Sequence, residues 1–98
     1  MSVYAVRYAY DSRTAEQDAI RPEHRGYLRG LAAQGQLLGS GPFVEGEAGA
    51  LLVFRTADRA ALDALLAADP FQISGLVAVT EVREWNLVIG PWALSLSH

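Results

Sequence analysis

From Val3 to Tyr10 the chain alternates, with Tyr4, Val6, Tyr8 and Tyr10 on one side and Val3, Ala5, Arg7 and Ala9 on the other. That is the period of a strand, and only Arg7 breaks the apolar character of its face. Asp11 to Asp18 is polar and aperiodic and reads as a loop. Beyond it the period becomes helical. On a wheel of 100° per residue, Ile20, Tyr27, Leu28 and Leu31 form one stripe, with His24 near its middle. Pro22 suits a first helical position, because its missing N–H would be unpaired there anyway. The pattern predicts a helix from Pro22 to about Gln34, stopped at Gly35, with a titratable ring facing the core.

Gln36 to Val44 is a second strand, interrupted by Gly39, Gly41 and Pro42, residues that point to a bulge, an edge or close approach of a ligand to the backbone. Glu45 to Ala48 has the composition of a hairpin loop. Ala50 to Arg55 is a third strand, apolar on both faces and so expected to be central and covered twice. Thr56 is a candidate N-cap for a second helix that buries Leu62, Leu65 and Leu66 and ends at Pro70. Asp69 extends that stripe in the last turn, which points a carboxylate inward. Phe71 to Gly75 reads as a connector, Leu76 to Trp85 as a fourth strand, and the segment from Asn86 as an apolar tail.

The order β-α-β-β-α-β is that of a ferredoxin-like α+β fold, in which a four-stranded antiparallel sheet carries both helices on one face. One domain, residues 1–98, accounts for the length. Right-handed crossovers bring the start of the first helix, the Ser40 to Pro42 end of the second strand and the end of the second helix to the same edge. His24 and Asp69 are then neighbours. A histidine oriented by a carboxylate is an acid/base pair, because the carboxylate stabilises the ring cation after proton uptake. A first-turn position would keep His24 neutral at rest and suited to act as a base. The competing account is a buried histidine satisfied by a carboxylate, or an Asp69 that only bonds backbone groups. Arg7 is a candidate anchor for an acidic substrate, with cross-strand pairing to Glu81 or Glu84 as the alternative. Ser40, Gly41 and Pro42, together with Phe71, are expected to line the ligand pocket; the alternative for Ser40 is a bulge that only bends its strand.

Composition narrows the chemistry. The chain is 51% hydrophobic with a net charge of −3, and it has no basic stripe to neutralise phosphates, so neither nucleic acid nor a membrane is an expected partner. No apolar run is long enough to span a bilayer, and the start lacks a signal-peptide pattern, so a cytoplasmic location is expected. With zero cysteines and two histidines, thiolate catalysis is excluded and no metal site is expected. The apolar excess and the doubly apolar third strand point to a subunit interface, hence a homodimer or higher self-assembly.

Several stretches together resemble the YCII-related (YciI-like) proteins: the Tyr-rich first strand, Arg21-Pro22-Glu23-His24, Gly35-Gln36-Leu37-Leu38-Gly39-Ser40-Gly41-Pro42, and Ala68-Asp69-Pro70-Phe71. The resemblance implies a dimeric α+β barrel, formed by packing of the free sheet faces, and an active site built on His24 and Asp69. It also implies proton-abstraction or elimination chemistry without a cofactor on a small, aromatic or acidic metabolite, since one activity in the family is dehydrochlorination of a chlorinated aromatic. A lyase or isomerase is the first expectation. A non-catalytic small-molecule-binding or dimerisation module of the same fold is the second.

Overall fold

A computed structural model describes residues 1–95. Ser2–Tyr10 forms strand β1, and its alternation sends Tyr4, Val6 and Tyr8 into the core. Helix α1 spans Thr14–Ala33, followed by β2 (Leu37–Pro42) and β3 (Gly49–Thr56), helix α2 (Arg59–Ala67), the short helix α3 (Pro70–Ile73), β4 (Val77–Glu84) and a final turn of helix, α4 (Pro91–Ser95). The sheet has the order β2-β3-β1-β4 with every pair antiparallel. Leu28 and Leu31 of α1 and Leu62 and Leu66 of α2 pack with Tyr4, Val6, Tyr8, Leu52 and Phe54. Both long helices therefore lie on one face of the sheet, as the ferredoxin-like order requires.

The first helix differs most from its expected bounds. It starts at Thr14, within the stretch read as a loop, and Pro22 lies in its interior. The start is held by Gln17, a buried polar residue whose amide donates to the backbone oxygen of Asp11 at 2.9 Å. This tie does not repeat with the apolar period, so the stripe alone missed it. Pro22 is tolerated because it and Asp18 are both exposed, which lets water bond the carbonyl deprived of its usual donor. The far end agrees with expectation: Gly35 follows the C-cap Gln34 at φ +79°, a left-handed conformation that costs glycine little.

The second helix is capped by Asp58, which accepts from the Ala61 N–H at 2.8 Å, whereas Thr56 ends β3 and donates its hydroxyl to the Asp58 carbonyl. Asp69 lies beyond α2 and is the N-cap of α3, with Pro70 at a first-turn position. The connector is thus a capped helical turn, and Asp69 faces inward because of that cap. In β2 the pairing with β3 shifts between Leu37 and Gly39, the bulge anticipated at the glycines.

The other face of the sheet carries Ala5, Arg7, Leu51, Val53 and Val79. Arg7 Nε donates to Glu81 Oε1 at 3.2 Å, and Leu51 is 43% exposed. Gly39 pairs with Val53 and shares this face. A Cβ on Gly39 would lie 3.2 Å from the ring of Trp92, so the tail folds back over the β2 side of its own sheet. His98 lies outside the described residues. Among the described residues no helix is long and apolar enough to cross a membrane.

Backbone proximity fixes one residue type outright. A Cβ on Gly49 would sit 2.2 Å from the Tyr8 carbonyl oxygen, a separation that demands movement of the two central strands. Gly49→Ala is therefore expected to destabilise by about 2 kcal/mol or more, lowering Tm by roughly 8 °C or more for a domain of this size. An unchanged melting curve would show that β1 and β3 are not held at this spacing.

Candidate functional site

Helix α1 sends His24 inward between Gln17 and Leu28. The capped turn of α3 brings Asp69 to meet it from 45 residues away, with Nδ1 of His24 2.7 Å from Oδ1 of Asp69. His24 is 6% exposed and Asp69 1%. The same Oδ1 accepts from the Phe71 N–H at 2.9 Å, and Oδ2 accepts from the Tyr8 hydroxyl at 2.8 Å. Three donors thus converge on one buried carboxylate. Because a carboxylate only accepts, Nδ1 carries the proton, which places the lone pair of the neutral ring on Nε2. Nε2 has no hydrogen-bond partner among the described residues, and no buried side-chain nitrogen or oxygen among them is unpaired. Nε2 is therefore open to the surface, through the cleft that His24 lines.

Phe71 fixes the ring plane. Its side chain stacks on His24 with centroids 4.0 Å apart and planes 1° from parallel, and Tyr10 meets Phe71 edge-on at 5.4 Å. Burial and the neighbouring Asp69 carboxylate raise the Tyr8 hydroxyl well above its ordinary range. Tyr10 is pushed up to about 12 by burial and by Asp69, against the opposing pull of Arg21 and Arg25.

The cleft, about 690 Å³, lies between α1 and the end of β2 and is walled by His24, Phe71, Ser40, Gly41 and Pro42, with Tyr10, Arg21, Arg25 and Arg29. The structure thus brings His24 together with Ser40, Gly41, Pro42 and Phe71, while Asp69 sits behind the histidine and does not line the cleft. Arg7 does not join them. It lies on the opposite sheet face, paired with Glu81, and its candidacy as a substrate anchor is replaced by the cross-strand pair. With side chains 40% and 54% exposed, that pair contributes roughly 0.2–1 kcal/mol. A second correction concerns the helix dipole. His24 lies about three turns into α1, beyond the first-turn reach of the N-terminal field, so the helix start does not act on the ring, and what Asp69 fixes is its tautomer and orientation.

Sequence reasoning missed Tyr8 and the three arginines. Tyr8 was absorbed into the apolar stripe of β1, and nothing local marks a hydroxyl whose partner lies 61 residues on. The arginines did leave a signal, recurring at every fourth position from 21 to 29, on the flank of the stripe that carries His24.

A four-stranded antiparallel sheet with two helices on one face, and a buried His24–Asp69 contact at its edge, makes this a ferredoxin-like α+β domain. The chain belongs to the YCII-related domain family, whose model matches residues 1–86. Among solved structures, it is similar to 5-chloro-2-hydroxyhydroquinone dehydrochlorinase (TftG) from Burkholderia phenoliruptrix in complex with 2,5-dihydroxybenzoquinone. That match has TM-score 0.76 and 19% identity and covers 86% of this chain and 93% of that one. A NIPSNAP family protein from Agrobacterium tumefaciens matches with TM-score 0.59 and 20% identity, over 91% and 95% of the two chains. SnoaB, a cofactor-independent oxygenase from Streptomyces nogalater, matches with TM-score 0.51 and 15% identity, over 91% and 94%. At these identities the likeness is one of fold. No curated protein sequence matches the chain.

Replacing Tyr8 by Phe removes one donor from a buried carboxylate and is expected to cost about 1–3 kcal/mol near neutral pH. Its pH dependence follows from the raised Tyr8 value. The folded state holds the phenol neutral above the unfolded value of 10.0, so the contribution is fully present below pH 10 and is lost as pH rises from there. Urea midpoints measured from pH 8 to 11 should fall less steeply for Tyr8→Phe than for the wild type. Parallel alkaline limbs would mean that Tyr8 is not held neutral by this contact.

Proposed function

We propose that the protein is a small-molecule enzyme of lyase or isomerase type in which His24 is the general base and Asp69 its positioning partner. The observation that carries this is the Nδ1–Oδ1 contact of 2.7 Å in a buried pair, with the other ring nitrogen turned to the cleft. In the proposed step Nε2 takes a proton from an acidic C–H. The electron pair of that bond passes into a new double bond, either onto a carbonyl oxygen as an enolate or by expelling a leaving group with its own pair. Asp69 accepts the Nδ1–H bond throughout and stabilises the imidazolium. Phe71 holds the ring plane, and the Ser40 to Pro42 backbone lines the facing wall. All eight basic residues are arginines and there is no cysteine, so neither a Schiff base nor a thiolate intermediate is open to this chain. The dehydrochlorinase of similar fold carries out an elimination on a hydroquinone, which supports the reaction class.

The test uses exchange in D₂O, read by NMR over a panel of keto acids and halogenated hydroquinones. Wild type is expected to incorporate deuterium into, or expel halide from, at least one of them. His24→Ala should lose about 10²- to 10⁴-fold of that rate. Asp69→Asn should retain part of it with a displaced pH profile. Equal rates in wild type and His24→Ala would remove the mechanism.

One observation favours a second reading, a binding module without turnover. Both oxygens of Asp69 are already occupied, by His24 and Phe71 on one and Tyr8 on the other, as in a purely structural buried cap. Ligand binding unaccompanied by exchange with any member of the panel would favour it.

We also propose that two copies associate through the sheet face bearing Leu51 and Val79, which are 43% and 46% exposed, beyond the area covered by Trp92. Sedimentation at micromolar concentration should give a dimer, and Leu51→Asp should shift it toward monomer. A wild type that sediments as a monomer contradicts this assembly.

A further inference from the structure

On a chain with 11 acidic and 8 basic residues, the cleft beside His24 is walled by Arg21, Arg25 and Arg29 and by no carboxylate. The three guanidiniums follow one another at four-residue spacing along α1, where like charges repel by roughly 0.2–0.5 kcal/mol per pair. Arg21 is held by Asp18. Arg25 and Arg29 have neither ion pair nor hydrogen bond among the described residues, so nothing in that part of the fold offsets their repulsion. By helical geometry Arg25 and Arg29 lie about 100° and 140° round the axis from His24, at the rim of the cleft, whereas Leu28, Leu37, Pro42 and Ala50 line its wall as apolar groups. Charge at the mouth and apolar surface within suit a ligand whose single anionic group stays at the rim.

We infer that the cleft takes a small aromatic carboxylate, its oxygens on Arg25 and Arg29 and its ring over the apolar wall toward His24. This rests on the acid/base reading above only for what happens at the inner end. Arg guanidiniums bind planar carboxylates in bidentate fashion. A free phosphate dianion, by contrast, would have to leave its hydration shell for a wall with few donors.

The test is binding, not turnover. Benzoate, benzamide and inorganic phosphate are titrated into the full chain, and the amide signals of Ser40 and Gly41 and the His24 ring nitrogens are followed by NMR. Benzoate is expected to bind about tenfold or more tightly than its neutral isostere benzamide, and the paired substitution Arg25→Gln, Arg29→Gln should weaken benzoate by about the same factor. Arg7→Gln removes an equal charge from the opposite face and should leave binding unchanged. Both arginines are exposed, so an unaltered melting curve is expected and separates lost binding from lost folding. Equal binding of benzoate and benzamide, tighter binding of phosphate, or an effect of Arg7→Gln as large as that of the pair would each overturn the assignment. Any of these leaves the His24–Asp69 mechanism standing. Conversely, benzoate binding that survives in an enzyme shown not to use His24 would retain the anion cleft and remove the mechanism.

Discussion

Everything at this edge of the domain depends on one buried carboxylate. Asp69 collects a ring N–H from α1, a hydroxyl from the middle of β1 and a backbone N–H from α3. Removing one partner from such a site leaves charge or dipole unsatisfied in a low-dielectric interior, a penalty of about 3–5 kcal/mol where the pair is charged. The exposed Arg7–Glu81 pair is several times weaker. The difference explains why the first contact unites three elements into a common frame while the second only decorates a sheet face.

That frame also orders the local geometry of Phe71. Its backbone N–H bonds Asp69 and its ring stacks on His24, so a single residue restrains both members of the pair. The short helix that carries it lacks the length to be stable alone. It persists because the cap at its N-terminus and the stack above it are the same interactions that define the dyad.

Much of this was legible in the residues. The alternation of Tyr4, Val6 and Tyr8, the doubly apolar Leu51 to Phe54 and the Gly35 stop each follow from a local period or a local conformational need, and they led to the four-stranded antiparallel order. The proximity of His24 and Asp69 followed from topology. The inward aim of Asp69 comes from a cap and not from a helical stripe, and a cap leaves no periodic signal. The start of α1 stayed hidden because Gln17 makes its contribution through one long-range hydrogen bond, which leaves no periodic trace. Tyr8 stayed hidden for a related reason: a phenol on an apolar stripe looks the same whether or not its hydroxyl has a partner. The arginines at 21, 25 and 29 share a flank of α1, but a row of charges on a helix is ordinarily a solvated face, and only the fold sets a cleft beside it.

The cleft has two unlike walls. One is built from the core: α1, β1 and the turn of α3, tied together through Asp69. The other is the end of β2, an edge strand with a bulge, followed directly by the exposed stretch from Phe43 to Ala48. Insertions or substitutions in that stretch fall directly after the Ser40 to Pro42 wall and leave untouched every donor to the carboxylate. On the function proposed above, chemistry and selectivity are housed in separate parts of the chain, and a lineage of such domains is free to explore new ligands without rebuilding the His24–Asp69 pair.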